Sequence, residues 1–183
     1  MKITTRTLFA IPHWQFKVKD FEIKRKALLN AFKPFDEKQN DPEFADFTTN
    51  RYSTADIINT FSKIMNDELL IISKTIENDI AVKEVWSVSY KTGGYHPVHN
   101  HGSTGLSAIL YLNLPEDSPS TSFLQPWNNV LTDKSIYATP NVVEGEIVVV
   151  PSFIQHFTQP NKSKKIKKTV SWDIDVITNN EIF

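Results

Sequence analysis

Three of the chain's five histidines fall within six residues, in Gly93-Gly94-Tyr95-His96-Pro97-Val98-His99-Asn100-His101. In a strand, residues i and i+2 point to the same face. His99 and His101 can therefore present two imidazoles to one ion. Neutral imidazole suits iron, zinc, copper and nickel. A third ligand is expected from far away in sequence, as when two sheets face each other, and His156 is the candidate. It follows the Gly-led apolar run Gly145-Glu146-Ile147-Val148-Val149-Val150 and then Pro151-Ser152-Phe153-Ile154-Gln155. That pattern reads as a buried strand, a turn and a histidine entering the next strand, across a barrel mouth from the pair. His-x-His alone is a weak sign; joined to a distal histidine after such a strand it is a strong one. A solitary histidine is more often a hydrogen-bonded core residue, and His13 is read that way. His96 is a second-layer group, a substrate-facing group or simply exposed, and stays outside the ligand set.

The elements that must position these side chains divide the chain in two. From Asp20 to Phe32, the apolar Ile23, Ala27, Leu28, Ala31 and Phe32 recur at helical spacing, with Asp20 as N-cap and Pro34 as stop. The polar stretch 33–51, with Pro42, reads as a loop. A second helix is expected over 55–76, capped by Ser53 or Thr54, with a stripe of Ile57, Phe61, Ile64, Met65, Leu69 and Ile72. From Ala81 onward the texture changes to short strands between turns: 85–90, 106–114, 145–150 and 169–177 are the clearest. In the last, Val170, Trp172, Ile174 and Val176 share one face. The expectation is a single domain, 1–183, with a helical N-terminal part (1–80). A mainly β jelly-roll core (81–178) follows, with the helices packed on one sheet. Trp86 and Trp172 are expected to pack in the core. Trp127 lies beside a loop, where it either lines a substrate entrance or is simply exposed.

Composition narrows the function. With 40% hydrophobic and 22% charged residues, the 183-residue chain suits a globular domain with a substantial core. The 20 basic and 21 acidic residues give no general field for nucleic acid. The absence of cysteine removes thiol nucleophiles, disulfide frameworks and zinc knuckles. No stretch approaches the roughly 20 apolar residues of a membrane span, and 1–12 lacks the apolar run of a signal peptide. A cytoplasmic protein is expected. Oligomeric state is not legible.

Two further stretches sharpen this reading. Trp86-Ser87-Val88-Ser89-Tyr90, Gly94, His99-Asn100-His101 and Leu106–Leu112 occur in that order. Pro140, Glu144-Gly145-Glu146, Pro151-Ser152, His156, Pro160 and Lys167-Lys168-Thr169-Val170-Ser171-Trp172 follow in theirs. Together they resemble a group of 2-oxoglutarate- and Fe(II)-dependent oxygenases of phages and marine bacteria, built on a double-stranded β-helix. The resemblance covers about 85–173. It implies Fe(II) held by His99 and His156, with His101 where the wider superfamily usually has a carboxylate, and 2-oxoglutarate as cosubstrate. It also implies a cation for the distal carboxylate of that cosubstrate. The position usually taken by Arg is Lys167 here, with Thr169 and Ser171 on the same face, Lys168 as the fallback and Tyr111 as a hydroxyl donor. Lysine binds a carboxylate as a point charge and lacks the fork of arginine. The expected reaction is an oxidation, by default hydroxylation, of a small molecule or protein side chain that the sequence does not identify.

Two other readings compete. Gly93, His99-Asn100-His101, Gly145, Pro151 and His156 follow parts of the two cupin motifs, which would make a three-histidine dioxygenase working without 2-oxoglutarate. The cupin glutamate after His101 is missing, and Phe153 replaces an expected glycine. A non-catalytic jelly-roll binding protein or phage structural component is the alternative from another class.

Overall fold

The computed structural model describes residues 10–36, 47–49 and 54–178, without the side chains of 34–36 and 47–49. Ten strands and three helices follow one another as β1 (Trp14–Lys17), α1 (Phe21–Asp36), β2 (Phe47–Thr49), α2 (Ala55–Ile64), α3 (Asn66–Ile76), β3 (Asp79–Tyr90), β4 (His96–His99), β5 (Leu106–Asn113), β6 (Thr121–Leu124), β7 (Tyr137–Ala138), β8 (Glu146–Pro151), β9 (His156–Thr158) and β10 (Lys167–Ile177). They form a six-stranded sheet, β1-β8-β5-β10-β3-β2, and a four-stranded sheet, β4-β9-β6-β7. Every pairing is antiparallel. From β3 to β10 the chain passes back and forth between the sheets, as the double-stranded β-helix requires.

The large sheet is buried on both faces, which explains why β5 and β8 read as unbroken apolar runs. One face carries Ala108, Leu110, Ile147, Val149 and Trp172 into a core shared with Leu28, Phe61 and Met65 of the helices. Phe61 and Trp172 meet with ring centroids 5.0 Å apart. The other face sends Ile109, Tyr111, Val148 and Val150 into the space between the sheets, where they meet Phe123 and Ile154. Fully burying one such side chain stabilises the fold by about 1.5–3 kcal/mol. β10 is divided most sharply. Val170, Trp172 and Ile174 join the helix-side core, while Lys167, Thr169, Ser171 and Asp173 hold the alternate positions.

Several local expectations change. The helix over 55–76 is two helices, broken at Met65 (φ −100, ψ 18), and Thr54 caps the first through a hydrogen bond from Ile57 N–H. α1 continues to Asp36, two residues past Pro34. A proline in the final turn removes one backbone donor without ending the helix. Asp20 occupies the cap position with its carbonyl, which accepts from the N–H groups of Ile23 and Lys24. The N-terminal part is not purely helical, because β1 pairs with β8 and β2 pairs with β3. Ser53 and most of the expected 33–51 loop lie outside the described residues.

Candidate metal centre

His99 closes β4 and His156 opens β9, and the two are register partners across that strand pair. The distal histidine therefore comes from the neighbouring strand of the same sheet, not from the facing sheet. His101 lies beyond the end of β4 and does not share a strand face with His99. Instead its N–H donates to the Ser152 carbonyl (3.0 Å), and Ser152 N–H donates to the Gly105 carbonyl (3.0 Å). This clamp turns His101 back toward the strand pair. The side chains of His99, His101 and His156 converge, with candidate ligand atoms all within 4.8 Å of one another.

Each imidazole is held at Nδ1. His99 Nδ1 lies 2.9 Å from the Pro97 carbonyl, and His156 Nδ1 lies 3.0 Å from the Ile154 carbonyl. A carbonyl only accepts, so in both rings Nδ1 carries the proton and Nε2 the lone pair. His101 Nδ1 stands 3.1 Å from Asp173 Oδ2. Binding histidines characteristically have their second nitrogen fixed in this way. His156 is pushed down to about 3 by burial and by the neighbouring His99, which keeps its ring neutral. Neutrality is what coordination needs. Trp86 lies almost parallel to His101, with ring centroids 5.1 Å apart and 13° between planes.

A narrow cavity of about 30 Å³ runs from the three histidines past Ile109, Thr121 and Thr158 to Tyr90, with Thr169 and Ser171 on its wall. Lys167 does not line this cavity; it is fully buried beside Tyr90, which does. Its Nζ donates to the Pro119 carbonyl (2.6 Å) and stands 5.2 Å and 5.7 Å from the ring centroids of Tyr90 and Tyr111. Burial pushes the ammonium down to about 7. Both tyrosines are pushed up by burial and stay neutral. A buried amine between two neutral phenols, near a wall of hydroxyls and an imidazole cluster, is chemistry suited to a small dicarboxylate. So narrow a space means that lining side chains must move for such a ligand to enter.

The comparisons with known proteins bear on the chemistry. Residues 84–173 match a family model described as "Putative 2OG-Fe(II) oxygenase". The histidine cluster and the oxygenase family fit each other, and the protein is a 2-oxoglutarate- and Fe(II)-dependent oxygenase. No curated protein sequence matches the chain. Solved structures of low identity share the fold. HygX from Streptomyces hygroscopicus, solved with nickel, 2-oxoglutarate and hygromycin B bound, superposes with a TM-score of 0.67 at 10% identity, covering 90% of this chain and 83% of that one. A Pseudomonas putida prolyl-4-hydroxylase gives 0.58 at 15%, covering 90% and 93%. An oxidoreductase described as of the 2OG-Fe(II) oxygenase family, from Burkholderia pseudomallei, gives 0.61 at 8%, covering 87% and 93%.

The oxygenase's other expected site residues fall as follows. Thr169 is buried and Ser171 half-buried, both beside the histidine cavity; Lys168 points to the opposite face of β10 from Lys167. Tyr111 accepts a hydrogen bond from Thr121 N–H (3.1 Å). His96 lines the same cavity, its ring centroid 4.0 Å from that of His99. Trp127 does not line the cavity of His99, His101 and His156. It borders a separate, larger groove of about 270 Å³ with His13, Pro126 and Tyr137. Trp86 packs against the buried Val88 and Tyr90, as expected, and also lines the cavity. Tyr90 and Asp173 escaped the sequence reading. Both were within reach of it, since Asp173 continues the period-2 face of Lys167, Thr169 and Ser171.

Proposed function

We propose that His99, His101 and His156 hold the Fe(II) of this oxygenase through Nε2, and that Lys167 anchors the distal carboxylate of 2-oxoglutarate. The observation that carries this reading is the convergence of three imidazoles, each pinned at Nδ1 by a group on its outer side. Such a donor set fits a divalent iron with coordination positions left for a keto acid and O2. When bound, the iron and its cosubstrate supply the oxidising chemistry: O2 and 2-oxoglutarate become succinate and CO2 as a substrate C–H becomes C–OH. The chain's own part is binding and orientation. His156 and His99 keep the metal-facing nitrogens unprotonated. Lys167 sets the direction of the cosubstrate by a charge-assisted hydrogen bond, and Thr169 and Tyr111 flank that contact. Ile109 and Val88 keep the cavity wall partly apolar, which strengthens both polar contacts by excluding water.

No general base is required, since C–H cleavage is the task of the oxidant. We read the reaction as hydroxylation of a small molecule or protein side chain, with His96 facing the substrate. No helix among the described residues is long and apolar enough to cross a membrane. The lack of cysteine and the need for ferrous iron favour a cytoplasmic setting, which cell fractionation would test. A single domain comprising the helical segment and the jelly roll agrees with the core they share.

The test is anaerobic iron titration of wild type, His99→Ala and His156→Ala, with circular dichroism as the fold control. Each variant should lose stoichiometric iron while keeping its strand signal. Full iron occupancy in either variant removes that residue from the ligand set.

A further inference from the structure

The ligand set proposed above has no carboxylate, although the usual non-heme iron site has one. Three neutral imidazoles leave the whole charge of a divalent ion uncompensated within the ligand shell. The acidic group paired with the cluster is Asp173. Its Oδ2 lies 3.1 Å from His101 Nδ1, and its Oδ1 accepts from Ser107 Oγ at 2.7 Å. Ser107 Oγ also lies 2.9 Å from Ser152 Oγ. A hydroxyl has one proton. Since that of Ser107 goes to Asp173, Ser152 must donate to Ser107. The order of donation is then fixed, from Ser152 to Ser107 to Asp173, with His101 donating to the same carboxylate from the other side. Ser152 also accepts, through its carbonyl, the backbone N–H of His101. One network therefore fixes both the backbone and the ring of His101. It joins β5, β10 and the turn after β8, and it ends on a carboxylate only 14% exposed.

Resting on the three-histidine reading, we propose that Asp173 is a positioning residue that replaces the missing carboxylate ligand from one imidazole away. It fixes His101 with Nε2 toward the ion and places a negative charge behind that ring. The site is thus a carboxylate–histidine–metal arrangement at the position where its relatives coordinate the carboxylate directly. This has a consequence for the obvious "restoring" substitution. The oxygens introduced by His101→Asp fall near the place of Nδ1, 3.1 Å from Asp173 Oδ2. Two carboxylates at that distance repel. His101→Asp alone should therefore weaken the site.

The experiment is anaerobic titration with Fe(II), and with Co(II) to follow its ligand-field absorption. It compares wild type, His101→Ala, Asp173→Asn, Asp173→Glu, His101→Asp and the double variant His101→Asp/Asp173→Asn. Metal-free melting curves check each fold. Asp173→Asn should bind metal about 10- to 100-fold more weakly and shift the Co(II) bands, and Asp173→Glu should recover part of the loss. His101→Asp should bind more weakly than the double variant, in which the carboxylate has moved inward and its rival is gone. A merely structural Asp173 would make the double variant worse than either single one. If Asp173→Asn fails to fold, Ser107→Ala, which removes only the second support of the carboxylate, should weaken binding in the same direction. Wild-type affinity and bands in Asp173→Asn, with binding lost in His101→Ala, overturn the role of Asp173 alone. Wild-type metal binding by His101→Ala overturns the three-histidine reading beneath it.

Discussion

Lys167 offers the sharpest quantitative test of the cosubstrate site. Its ammonium is fully buried, and burial alone brings it from 10.5 to about 7. That difference corresponds to roughly 5 kcal/mol against the charged form. The groups facing it are Pro119 O, Tyr90 from β3 and Tyr111 from β5, and neither phenol ionises in the working range. A bound carboxylate favours the charged lysine and raises its pKa, so binding above neutrality takes up a proton. The sign follows. Affinity for 2-oxoglutarate should be level well below pH 7 and then fall toward tenfold per pH unit up to the bound-state pKa, at most about 50-fold between pH 7 and 9. Lys167→Met keeps the apolar stem and removes the charge. It should weaken binding at pH 6.5 by about 1.5–3 kcal/mol, and its affinity should not vary with pH. The free protein has its own signature. Between pH 7 and 10.5 the unfolded chain holds a proton that the folded lysine has lost, so this group makes stability rise with pH across that window. The assay is anaerobic titration of the Fe(II) protein with 2-oxoglutarate, followed by the metal-to-ligand absorption band. A wild-type affinity that stays within threefold from pH 6.5 to 9, or a Lys167→Met variant with the wild-type slope, refutes the assignment.

Two other substitutions probe the scaffold. Gly105 has φ +83, and a Cβ there would stand 2.4 Å from the Ile174 carbonyl oxygen on β10. Gly105→Ala should cost at least the roughly 1–2 kcal/mol of a left-handed backbone and displace the His101 clamp. Melting temperature and iron affinity should fall together, and unchanged iron affinity would uncouple that loop from the site. Phe61→Ala should destabilise by about 3–5 kcal/mol, because Phe61 is fully buried against Trp172. Denaturant unfolding measures it, and a cost under 1 kcal/mol would show that the helices contribute little to the sheet they cover.

Much of this was legible in the residues because the decisive patterns are local. The alternation of β10 separates Trp172 from Lys167, and the apolar run of β8 announces a strand buried on both faces. The three histidines stand out by type and spacing. What escaped depends on pairing across the chain. Trp14–Lys17 is only four residues long, and its strand identity comes from β8. The convergence of His101 with His99 looked like a property of one strand but is made by Ser152 and Gly105. Asp173 was passed over although its position was readable, because a carboxylate next to aromatic and β-branched residues looks like the solvent face of a strand. Only the register of β10 with β5, which sets Asp173 opposite Ser107, shows what it faces.

The small sheet has a bearing on how the protein is held together without its metal. Its strands are four, three, four and two residues long, too short to be robust as isolated ladders. The loop closed between His99 and His156 spans much of the jelly roll. An ion gripping both would act as a crosslink between β4 and β9, stabilising the folded state by RT ln(1 + [L]/Kd), about 2.7 kcal/mol at a hundredfold excess over Kd. Amide exchange should then be fastest in β4 and β9 of the iron-free protein and slow there on loading, while β5 and β10 change little. Iron supply would set the amount of intact enzyme as well as its turnover, since a chain deprived of the ion would open first at its small sheet and be exposed there to proteolysis.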